Sequence, residues 1–175
     1  MKTIKIRDYS ELPTDFTGIV EFTSGTKVWY WNGKRHRTDG PAIEHFDGTK
    51  QWYLNGKQHR TDGPAYEDAD DTKVWYQNDK RHRVDGPAYE RADGLKQWYL
   101  NNERHRVDGP AFEYADGGKA WWLNGNFIYE LKSLGDYILI EEGLPSEVEW
   151  LGERVTQRKV LTETGFMYIP NLPGI

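Results

Sequence analysis

Four histidines recur at one spacing: His36, His59, His82 and His105 each stand three residues before an aspartate, Asp39, Asp62, Asp85 or Asp108. Imidazole and carboxylate in one neighbourhood could bind a metal or exchange a proton. Four equivalent copies argue against both. With strands about 4.8 Å apart and two or three strands per copy, successive histidines would stand roughly 10–14 Å apart, too far to share one ion. The preferred reading is structural, an imidazole hydrogen-bonded to the Asp-Gly-Pro turn that follows. His45 falls outside the series and carries no signal. A second set is better suited to recognition: Tyr53, Tyr76 and Tyr99 alternate with Arg60, Arg83 and Arg106 at the same period. Rings beside guanidinium groups can grip a peptide or stack a base. They can equally form a packed tyrosine ladder with Glu–Arg ion pairs, each contributing about 0–1 kcal/mol.

The elements that position these residues are copies of one unit. Thr38 to Arg60 recurs almost unchanged from Thr61, from Val84 and from Val107, and more loosely over Asp15 to Arg37. Five units of 23 residues therefore cover 15–129 as 15–37, 38–60, 61–83, 84–106 and 107–129. A period this short means one continuous stack whose members fold together. Residues 1–14 precede it as an expected capping strand and loop, with Lys2, Ile4 and Ile6 in alternation, and 130–175 follow as a non-repeating tail. An open stack needs such caps because an uncovered edge strand pairs with other chains.

Within a unit, Asn55-Gly56 predicts a two-residue type I′ hairpin. Asn78-Asp79 and Asn101-Asn102 replace it later with residues that tolerate positive φ. Asp47-Gly48, Asp93-Gly94 and Asp116-Gly117 punctuate the other turn. Pro41, Pro64, Pro87 and Pro110 suit the first residue of a strand. The fold class is therefore mainly β: an elongated antiparallel meander or solenoid of five repeats, with a small α+β or β cap at the C-terminus. If both turns have two residues, alternation puts Ile43, Trp52, Leu54 and His59 on one apolar core face. Ala42, Glu44, Tyr53 and Arg60 then share the exposed face, and Trp29, Trp52, Trp75, Trp98 and Trp121 belong to the core.

Other features point to no chemistry. The run Glu67-Asp68-Ala69-Asp70-Asp71 lacks the spaced ligands and glycine of a calcium loop and reads as a solvated turn. No phosphate loop, nucleophile elbow or zinc-helix motif occurs, so no catalytic or metal residue and no cofactor is assigned. An enzyme, the weakest alternative, would have to build its site in the tail. There, Ser133 to Glu142 reads as a short helix or strand, and Lys159–Leu161 with Phe166–Ile169 as a hairpin.

The chain has no cysteine and no apolar run of membrane-spanning or signal-peptide length, so a cytoplasmic protein is expected. A net charge of −5 argues against a nucleic-acid binder, which needs a basic stripe. The tail carries eight acids against four bases, while 15–37 carries two acids against four bases.

The string Asn32-Gly33-Lys34-Arg35-His36 followed by Asp47-Gly48-Thr49-Lys50 resembles MORN repeats over all five units. The resemblance implies stacked β-hairpins and roles in scaffolding or protein binding, with lipid headgroups as a further ligand class. The family's glycine after histidine is Arg37, Arg60, Arg83 or Arg106 here, and Asp-Gly-Pro-Ala is an insert. That variant looks like repeat proteins of bacteriophages and bacteria, which implies an inhibitor or antitoxin-like action on a host factor. The leading expectation is thus a non-enzymatic protein-binding module contacting its partner through Tyr53, Tyr76, Tyr99, Arg60, Arg83 and Arg106. The alternative is capture of a small anionic ligand or nucleotide between the repeats and the tail.

Overall fold

A computed structural model describes residues 1–131, 147–150, 153–162 and 165–170. The repeats form one open antiparallel meander, a 13-stranded sheet in which each unit contributes two rungs. In the second unit these are Ile43–Glu44 and Lys50–Gln51, followed by Tyr66–Glu67 of the third. The strand resumes after Trp52 as Tyr53–Leu54, which folds back on Lys57–Gln58 in a separate hairpin. Hairpins of successive units hydrogen-bond to one another: Arg37 N–H donates to the Tyr53 carbonyl and Gly56 N–H to the Arg35 carbonyl. Each unit is thus held to the next along two columns.

The tight turns follow their residues. Asn55 and Gly56 have φ of 52° and 85°, and the positions of Asn78-Asp79 and Asn101-Asn102 are likewise both positive. Positive φ at both central residues is the type I′ hairpin, whose twist matches that of its strands. The Asp-Gly turn differs from expectation. Ile43 pairs with Gln51 and Glu44 with Lys50, leaving a loop closed by His45 N–H on the Thr49 carbonyl. Gly48 occupies φ 94° at its last position. This is a three-residue loop with a glycine bulge, one residue longer than a two-residue turn.

A shift of one residue exchanges faces, and the expected assignment is corrected accordingly. Ile43 joins Gln51 and Tyr53, and that side is the core: Val28, Ile43, Tyr53, Val74 and Tyr99 are all under 9% exposed. The tyrosine hydroxyls are satisfied there, Tyr53 donating to Gln51 Oε1 at 3.1 Å and Tyr99 to Gln97 Oε1 at 2.7 Å. Trp52, Leu54 and His59 lie together as expected, but on the opposite side and only half-buried.

The opposite side also carries a charge ladder that the shifted register creates. Lys5 pairs with Glu21, Glu21 with Lys27, Lys27 with Glu44 and Glu44 with Lys50. Alternation continues through Glu67, Lys73, Glu90 and Lys96 to Glu113 and Lys119. Opposite charges directly across strands each contribute roughly 0.2–1 kcal/mol.

At the N-terminal end, Thr3–Ile6 pairs parallel with Gly18–Phe22, and Ile6 and Phe16 complete the core beside Val20. The lead therefore supplies the expected first strand. In the tail, Glu147–Trp150, Glu153–Thr162 and Gly165–Pro170 form a three-stranded antiparallel sheet, with Thr162 paired to Gly165 as the hairpin reading requires. The expectation for Ser133 to Glu142 lies outside the described residues.

Candidate functional site

Three rows of side chains repeat along the stack, and they differ in whether their polar groups are already engaged. The first row is Arg37, Arg60, Arg83 and Arg106. Each guanidinium lies over the indole eight residues earlier, at 4.1 Å for Arg37 on Trp29 and 4.2 Å for Arg60 on Trp52. Arg60 Nε donates to Asp62 Oδ1 at 2.9 Å, and its Nη1 donates to the Pro64 carbonyl and Glu67 Oε1, both at 3.2 Å. Arg83 and Arg106 repeat the set. The other side of the guanidinium is walled by the glycine of Asp-Gly-Pro: a Cβ on Gly63 would stand 2.9 Å from Arg60 Cζ. The arginine is thus a staple joining its own unit's Trp to the next unit's turn.

The aspartates respond to that arrangement. The Arg60 hydrogen bond, with its charge adding to it, holds the Asp62 carboxyl below the ordinary carboxylate range, and Arg37 does the same for Asp39. Between two consecutive staples lies a cleft of about 440 Å³ walled by Arg37, Trp52, His59 and Arg60. Both guanidinium groups in it already meet carboxylates.

The second row is histidine. Asn55 N–H donates to His36 Nδ1 at 3.1 Å, Asn101 N–H to His82 at 3.3 Å and Asn124 N–H to His105 at 3.2 Å. The imidazole therefore fixes the next unit's Asn hairpin, where a contact to the Asp-Gly-Pro turn was expected. His59 Nδ1 is buried without a partner among the described residues, and in that unit Asp79 Oδ1 accepts from Gln58 N–H. Among the described residues no three His, Asp or Glu side chains come together to hold a metal ion.

The third row lies on the core side of the hairpin column. Tyr30 pairs across its hairpin with Arg35, Tyr53 with Gln58, Tyr76 with Arg81 and Tyr99 with Arg104. Arg35 stands 5.3 Å from the Tyr53 ring, and Arg81 the same distance from Tyr99. Arg104 lies among Tyr99, Phe112 and Trp122, at 5.9, 5.2 and 4.8 Å. Beside them Tyr66, Tyr89 and Phe112 are half-buried. Burial, with Asp68 and Asp47 adding to it, raises the Tyr66 hydroxyl pKa, so this ring stays neutral. The charge of the row comes from arginine.

The six residues expected to form one contact strip are therefore divided. Tyr53 and Tyr99 are buried and Tyr76 is half-buried in the third row, while Arg60, Arg83 and Arg106 are staples on the other side. Arg35, Arg81 and Arg104 escaped the sequence reading, although their position, second in Lys-x-His-Arg and its variants, is the one that varies between Arg and Gln. That alternation between Arg and Gln was the available signal.

Fold and rows together define a β-hairpin repeat protein. Compared with protein-family models, curated proteins and solved structures, the chain matches none of them. Among the described residues no helix is long and apolar enough to cross a membrane.

Proposed function

We propose that the chain is a non-enzymatic binding module that takes a protein partner on its tyrosine–arginine side. The observation that supports this is the third row. Tyr66, Tyr89 and Phe112 recur at unit spacing as half-buried rings, with Arg81 beside Tyr89 and Arg104 beside Phe112. Aromatic residues and arginine are the side chains that dominate protein interfaces, because they contribute large contact area at little conformational cost. The staple row has its Nε and Nη1 donors engaged within the chain, as in Arg60. The resemblance to MORN repeats favours the same reading, and its phage-like variant favours an inhibitor or antitoxin-like action on a host factor.

The test is recovery of the tagged protein from the cells in which it acts, followed by native mass spectrometry. The reading expects a stoichiometric added protein mass that is lost when Tyr66 and Tyr89 are both changed to alanine and kept when exposed Lys57 and Lys80 are changed. A folded Tyr66→Ala, Tyr89→Ala variant that retains the full added mass would overturn the assignment of this side.

A further inference from the structure

We infer that Arg81 and Arg104 form a phosphate-type oxyanion site centred on the hydroxyl of Tyr99, a ligand class independent of the protein-binding proposal. The two guanidinium groups converge on one neutral oxygen. Arg81 Nη1 donates to Tyr99 Oη at 3.4 Å and Arg104 Nε donates to the same atom at 3.2 Å. The hydroxyl itself donates to Gln97 Oε1, and Tyr99 is only 6% exposed. A buried phenol thus holds two cations close together, and like charges at that separation repel in a partly desolvated setting.

The partners of the two groups are neutral. Arg81 stands across its hairpin from Tyr76 and hydrogen-bonds Tyr99, and Arg104 hydrogen-bonds Tyr99. Among the described residues neither has a carboxylate within ion-pair distance, whereas each staple arginine has two, as Arg83 has Asp85 and Glu90. A guanidinium carries five N–H donors in a planar fork, so several on each group remain for an incoming anion. Two such forks match a tetrahedral dianion in charge and in donor geometry. Aromatic faces at Phe112 and Trp122 wall the Arg104 side.

The repeat supplies its own control. At the equivalent place two units earlier, Tyr53 is flanked by Arg35 and by Gln58, whose amide donates to Gln51 Oε1 at 3.4 Å. One cation and one amide make a weaker anion site than two cations. The positions following the pair end with Phe127, opposite Trp122. Among the described residues of this row, only Tyr99 stands between two arginines.

Inorganic phosphate titrated into the full chain, followed by calorimetry and tryptophan fluorescence, tests the inference. One-site saturation with a dissociation constant near or below about 1 mM is expected. Arg81→Gln and Arg104→Gln should each weaken it at least tenfold, while Arg91→Gln, in a surface turn, leaves it unchanged. Gln58→Arg should raise the stoichiometry above one. Phenyl phosphate separates a free ion from a group borne on an aromatic side chain: equal affinity points to the first, tighter binding to the second. Absence of saturable binding by the folded wild-type chain, or binding that survives both Arg→Gln changes, would refute the site. Should Arg81→Gln fail to fold, the Gln58→Arg stoichiometry decides alone.

Discussion

Gly63→Ala should destabilise the protein by about 2 kcal/mol, and for a reason unrelated to backbone strain. Gly63 does not have positive φ, so alanine fits its backbone. The new methyl would instead stand 2.9 Å from Arg60 Cζ and 3.0 Å from Nη2. A guanidinium at the end of a flexible side chain gives way, so the cost is what the displaced group loses. Its contact with Trp52 contributes about 1 kcal/mol. The bond from its charged donor to the Pro64 carbonyl contributes about 1.5 kcal/mol. Asp62 is 81% exposed at its side chain, so its solvent-screened pair adds little by itself, and the less exposed Glu67 pair adds about 0.5 kcal/mol. Against this total, alanine stiffens the unfolded chain by about 0.5 to 1 kcal/mol. The assay is a double-mutant cycle by urea unfolding, with Arg60→Ala as the second change. If the staple is the cause, Gly63→Ala becomes neutral or slightly stabilising once Arg60 is gone. Equal destabilisation in both backgrounds would sink the argument.

Two further predictions come from the turns. Asp39, Asp62, Asp85 and Asp108 have folded-state pKa values below their unfolded ones, chiefly through the arginine hydrogen bonds. Their contribution is complete above the unfolded carboxylate pKa of about 4 and disappears as pH falls through the lower folded values. The thermal midpoint should therefore be level from neutrality to about pH 5 and fall below about pH 4, less steeply in an Asp39, Asp62, Asp85 and Asp108 to Asn variant. Asp71 holds φ 64° where other units have glycine at 94° or 90°. Asp71→Gly should raise the urea midpoint by the equivalent of about 0.5 kcal/mol, the relief of left-handed strain exceeding the lost Lys73 ion pair.

Much of this fold is legible in the residues, because Asn-Gly, Asn-Asp and Asn-Asn turns admit few conformations and the period fixes where they recur. What the turns left open was one residue. Asp47-Gly48 is compatible with a two-residue turn and with a three-residue loop ending in a glycine bulge, and only cross-strand pairing distinguishes them. That single residue decided that Tyr53 is core and that Glu44 faces Lys50. The staples were hidden differently, since Trp52 and Arg60 are eight residues apart across a hairpin and meet only because Gly63 lacks a side chain. The Arg81 and Arg104 pair needed the column of hairpins, which brings together positions 23 residues apart.

The alternating ladder bears on how such a chain can change length through inheritance. Each interior unit places one glutamate and one lysine on it, as Glu67 and Lys73 do. A tandem duplication of 23 codons would therefore insert an electrically neutral pair and leave opposite signs facing each other at both new seams. Loss of a unit would close the gap equally well. Copy number can then drift without charge frustration, and every gain or loss also moves the two ends of the tyrosine–arginine row relative to each other, so that the reach of the molecule is open to selection in steps of one gene segment.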